Sequence, residues 1–133
     1  MARDIPLTEL IQQVIDAVDL MDAGRAEAAA KLAEEAIAAL LEGRVGPDWL
    51  TLDASALLPL LAPPRRVQAL ARALWVVSSI DEDNGDYASA ERRQRRAMEL
   101  YGRLRMSIEE LDIRAAKALG AASARLKRRS SEA

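Results

Sequence analysis

Two glycines, Gly24 and Gly85, each interrupt a long run of helix-forming residues. Each is followed by alanine five and twelve positions later, Ala29 and Ala36 after the first and Ala90 and Ala97 after the second. Glycine adopts the left-handed backbone that ends a helix in a tight turn. Alanines seven apart lie on one helical face and carry no bulk beyond Cβ, so a partner helix approaches closely there. This spacing predicts two antiparallel helical hairpins and an all-α chain.

Apolar periodicity supplies the other elements. Ala, Leu, Glu and Arg dominate, all of them good helix formers, and no period-2 run interrupts the helical spacing. The first helix is expected over Leu7 to Asp22, capped by Asp4 or Thr8, and the second over Arg25 to Glu42. Residues 43–64 differ, with Gly46-Pro47, Pro59 and Pro63-Pro64 around a leucine-rich stretch. A short helix is expected there near Ala54 to Leu61, folded back onto the core with Trp49 and Leu52 docked beside it. The third helix is expected over Arg65 to Asp81, with a stripe of Val67, Leu70, Ala71, Leu74, Val77 and Ser78. The fourth follows over Asp86 to Arg103. A capping box, Ser107-Ile108-Glu109-Glu110, opens a fifth. The domain then comprises hairpin 7–42, insert 43–64, hairpin 65–105 and a capping helix 108–124, one domain over 1–124. Residues 125–133 read as a basic flexible tail.

The two hairpins resemble the tetratricopeptide repeat (TPR). The best match runs from Ala73-Leu74 to Leu100, with Leu74 at the family's Trp position, Val77 at its Leu position, Ser78 at a small Gly, and Ala90 and Ala97 at the two alanines. Asp81, Gln94 and Gly102 stand where Tyr, Phe and Pro are usual. In the first hairpin the Gly turn, Ala29, Ala33 and Ala36 align, while Gln13 and Asp16 fall on core positions, which predicts a one-residue shift of its first helix. The hairpins are offset by 61 residues (85 minus 24), against about 34 for a regular array; the insert accounts for the excess. The arrangement is also similar to small, uncharacterised bacterial TPR-like proteins with a leucine-rich insert. The resemblance implies a non-catalytic scaffold that binds another protein through a helical groove. Two hairpins are fewer than the three repeats a solenoid usually needs, so the end faces must be covered by the insert, by the fifth helix, or by a second copy in a homodimer.

The chemistry available is narrow. The 133-residue chain has neither Cys nor His, which removes disulfides, thiolate nucleophiles and histidine-based triads and zinc sites. No catalytic, metal or cofactor residues are assigned. Asp81-Glu82-Asp83-Asn84-Gly85-Asp86 has the look of a calcium loop, but Ile80 takes the first ligand position, so it reads as an acidic turn with Asp86 at a helix start. Arg92-Arg93-Gln94-Arg95-Arg96, with Arg103 and Arg105, could bind an anion; Arg92, Arg96 and Arg103 share a side. This suggests the alternative of a nucleic-acid accessory protein, although the pI of about 5.3 and the lack of interleaved aromatics oppose it. Trp75 is either a core contact or part of a partner surface. Candidate partner-binding residues are therefore Trp75, Arg92, Arg96 and Arg103. Residues 1–64 carry 4 basic and 11 acidic side chains, and residues 65–133 carry 15 and 10; such halves attract one another within a molecule or between two. The N-terminus lacks a signal-peptide pattern, the apolar run Ala54 to Ala62 is too short for a bilayer, and Arg exceeds Lys, so a bacterial, cytoplasmic protein is expected.

Overall fold

A computed structural model describes residues 5–104 and 109–132. Among them every regular element is helical. The helices are α1 (Leu7–Asp22), α2 (Ala26–Leu41), α3 (Ala54–Leu60), α4 (Pro64–Asp83), α5 (Tyr87–Arg103) and α6 (Glu110–Glu132), with a 3-10 turn at Trp49–Thr51. Asp4, Arg105 and the Ser107-Ile108 part of the expected capping box lie outside the described residues. At the start of α1, Pro6 occupies the capping position without a side-chain bond, and Thr8 lies inside the helix.

The hairpin turns repeat each other bond for bond. Gly24 and Gly85 have φ of 78° and 82°, where a Cβ would be strained. The Arg25 N–H donates to the Leu20 carbonyl (2.9 Å) and the Gly24 N–H to that of Met21 (3.1 Å). Sixty-one residues on, the Asp86 N–H donates to Asp81 (2.8 Å) and the Gly85 N–H to Glu82 (3.0 Å). This pairing satisfies the last carbonyls of the preceding helix. Asp86 also accepts from the Ser89 N–H (3.3 Å), capping α5.

The alanines beyond these turns are closed off from solvent. Ala29, Ala33 and Ala36 on α2, and Ala90 and Ala97 on α5, are all fully buried. In α1 the buried positions are Val14 and Ala17, one residue past Gln13 and Asp16. Gln13 sits at the edge and donates to the Leu32 carbonyl (3.1 Å), while Asp16 is exposed. Because these sites have no spare volume, Ala97→Leu is expected to cost about 1–3 kcal/mol through overpacking, read as a lower urea midpoint at unchanged slope.

Packing order follows the chain. α1 lies on α2, both lie on α4, α4 lies on α5, and α6 covers α5 and part of α4. α4 is therefore the hub, with buried residues on every side from Val67 to Val77, including Gln68 and Arg72. The single stripe expected from the sequence is too narrow: helices on both flanks bury the rest. The insert does fold back. Leu57 and Leu61 are fully buried, with Trp49 and Leu52 packed against the same core, while Leu60 stays exposed.

α6 corrects the expected tail. It continues through residues 125–132 as helix. Leu126 is buried, Arg125 grips Glu82 (2.8 and 3.0 Å), and the Arg129 guanidinium lies 4.4 Å from the Tyr87 ring centroid. Among the described residues no helix is long and apolar enough to cross a membrane.

Candidate partner groove

The arginine run of α5 divides by helical angle into four different environments. Arg92 is exposed and donates to the Ser89 hydroxyl (3.3 Å). Arg93 lies between Glu34 of α2 (2.7 Å) and Asp81 of α4 (2.9 Å). Burial pushes the Asp81 carboxyl above its ordinary range, and the Arg93 charge offsets only part of that. Arg95 is exposed and pairs along the helix with Glu91 (2.7 Å).

Arg96 is buried. Its Nη2 donates to the carbonyls of Leu50 (2.8 Å), Trp49 (3.4 Å) and Leu52. It thereby ties the insert to α5 and is not a surface anion ligand. Arg103 is exposed at the rim of a small apolar cavity of about 290 Å³ lined by Leu58, Ala62, Pro64, Val67 and Leu104. Arg92, Arg96 and Arg103 thus do not form one basic patch.

Trp75 is only 3 % exposed, with the Arg114 guanidinium 5.3 Å from its ring centroid. Arg114 also reaches Asp22 at the end of α1 (2.8 Å). α6 and α1 therefore close over Trp75, and the partner surface considered for it from sequence is sealed.

Between α4, α5 and α6 lies a buried polar cluster that the sequence reading did not single out. Arg72 donates through Nε to Asp112 Oδ1 (2.7 Å) and through Nη2 to Oδ2 (2.8 Å). Gln68 Nε2 donates to Oδ2 (2.6 Å), the Tyr101 hydroxyl to Oδ1 (2.9 Å), and Arg72 Nη2 also to Glu109 (3.1 Å). Burial alone would raise the Asp112 carboxyl; the bonds from Arg72, Gln68 and Tyr101 together outweigh it and hold the group below its usual range. Burial, then the Asp112 charge, push the Tyr101 hydroxyl far up. Each Asp112 oxygen accepts two bonds, so the cluster is closed and works as a clamp between helices.

A groove of about 590 Å³ opens between α5 and α6, lined by Glu91, Gln94, Arg95, Met98 and Glu99 on one side and by Ser123, Leu126, Lys127 and Ser130 on the other. Met98 is 41 % exposed and Leu126 is buried. Gln94 is 2 % exposed, yet its Nε2 has no hydrogen-bond partner among the described residues, a costly state for a buried donor. The Gln94 side chain stands where the resemblance placed an aromatic ring. The groove offers apolar contact, mixed charge and serine hydroxyls, which is the chemistry that takes a polypeptide segment.

Comparison with protein-family models, curated proteins and solved structures finds no match to this chain.

Proposed function

We propose that this chain is a non-catalytic scaffold of TPR-like type that holds a segment of another protein in the α5–α6 groove. The single observation that carries the reading is exposed Met98 set among the charged and hydroxyl side chains of one open groove. A peptide would cover the Met98 side chain and meet Glu91, Arg95, Glu99 and Lys127 along the groove. Support for the TPR-like part comes from the repeated turn bonds at 61-residue offset, the buried alanines and the packing of α1 and α2 onto α4 with α6 over α5. The alternative of a nucleic-acid accessory protein loses ground, because Arg93 and Arg96 are engaged within the fold.

The test places a photo-crosslinking residue at position 98 and traps partners in extract of the source organism. The trapped protein, purified, should bind the wild-type chain and lose at least about tenfold in affinity on Met98→Glu, the size of one interface anchor. A partner that binds Met98→Glu as tightly as wild type overturns the reading.

A further inference from the structure

α1 and α6 form the two outer helices of the stack; α1 is wholly acidic, and α6 is wholly basic between its acidic ends, Glu110 and Asp112 at the start and Glu132 at the finish. α1 carries Glu9, Asp16, Asp19 and Asp22 and no basic residue, whereas residues 113–131 of α6 carry Arg114, Lys117, Arg125, Lys127, Arg128 and Arg129 and no acidic one. Within the chain the two helices already meet at one point, the Arg114–Asp22 pair. Arg125 is taken by Glu82 and Arg129 by the Tyr87 ring. Lys117, Lys127 and Arg128 are exposed and have no ion-pair partner among the described residues. They share a face with exposed Ile113, Gly120 and Ala124. A Cβ built on Gly120 would meet nothing within 4 Å, so this face is open as well as flat.

The complementary surface lies on the other side of α1, toward α2. A groove of about 770 Å³ between α1 and α2 is lined by Glu9, Asp16 and Glu35, with Ile5 at its end and no basic residue in its wall. The groove follows α1 from Ile5 to Asp16, and its wall is opposite in sign to the α6 face.

We infer that this protein associates head to tail, the α6 outer face of one copy seating in the α1–α2 groove of the next. The contact joins different surfaces, so each copy keeps one of each free and the assembly extends or closes into a ring. It differs from the homodimer expected from sequence in joining two different surfaces, and it shares only Lys127 with the α5–α6 groove, so the Glu9/Asp16/Glu35 variant tests it apart from that reading. A single helix-in-groove contact falls in the small interface class and is weak, with association on the order of 10–100 µM. The net charge of −2 favours an acidic protein surface over a polyanion as the occupant of the α6 face.

The test uses the full chain and two triple variants, Lys117→Glu/Lys127→Glu/Arg128→Glu and Glu9→Lys/Asp16→Lys/Glu35→Lys. Light scattering on wild type at low salt should show mass rising above 14.5 kDa with concentration, and returning to it near about 0.5 M salt, where screening is short-ranged. Each variant alone, with its helical circular dichroism intact, should stay monomeric, because both its end faces then carry one sign. An equimolar mixture should associate again. Gly120→Gln, which adds bulk only on the outer face, should weaken wild-type association at least tenfold without loss of helix. A wild type that stays at 14.5 kDa over this range, a mixture that does not associate, or α6-dependent binding of duplex DNA in place of self-association each overturns the inference.

Discussion

Asp112→Asn should destabilise the fold by about 3–5 kcal/mol, the range for removing one partner of a buried ion pair. Arg72 is 2 % exposed and Asp112 1 %, so the arginine left behind keeps its charge in a site closed to water. Glu109, on the exposed side of the cluster, compensates little. Gln68 and Tyr101 also lose the anion to which they donate. Urea denaturation should show the loss as a lower midpoint. A change under about 1 kcal/mol would mean that the cluster is not the clamp described here. Replacing both charges, Arg72→Met with Asp112→Leu, should recover most of the loss, because no unpaired ion remains.

The same carboxylate sets an acid limb. Its pKa in the fold lies below the unfolded value, which is about 3.9 for an aspartate. The stability it contributes is fully present above that value and is lost as pH falls through the folded one. The gap between wild type and Asp112→Asn should therefore narrow on acidification below about pH 4. Tyr101 sets an alkaline limb of opposite sign. Its pKa is raised in the fold, so its contribution holds below the unfolded value of about 10 and fades above it. Tyr101→Phe should remove that alkaline dependence.

The second large effect belongs to Arg96. Arg96→Met keeps the apolar stem but removes the donor shared by the carbonyls of Trp49, Leu50 and Leu52. An acceptor orphaned away from water costs about 1–3 kcal/mol, so a loss of about 2–4 kcal/mol is expected, concentrated in one segment. Hydrogen exchange should speed up across residues 44–61 and stay near wild type in α1 and α2. Uniform exchange changes, or none, would show that burial of Leu57 and Leu61 alone holds the insert.

The helices were legible because glycine turns and 3.6-residue spacing are local signals. α1 matches the expected Leu7 to Asp22, and α2 differs by one residue at each end. The placement of polar side chains was not local. Gln68 and Arg72 stand four apart on α4, which fits a solvated face equally well; only Asp112, 40 residues beyond Arg72, turns that face inward. The arginines of α5 look alike in the chain, and their fates depend on Glu34, Asp81 and three carbonyls of the insert. The end of α6 looked like a tail because its two anchors, Glu82 and Tyr87, flank the turn of the second hairpin, about 40 residues earlier in the chain. Gln94 stood out in the chain only as a departure from the resemblance, and that it lines a groove required the position of α6.

Enclosure of α4 also divides the chain into parts with different freedom to vary over evolutionary time. Nearly every position from Val67 to Ile80 is shielded, so a change there must be answered by another on a facing helix. The outward sides of α1 and α6 answer only to what docks on them. Descendants of one ancestor can exchange their surface charges one residue at a time, acquiring new associates while inheriting the same interior.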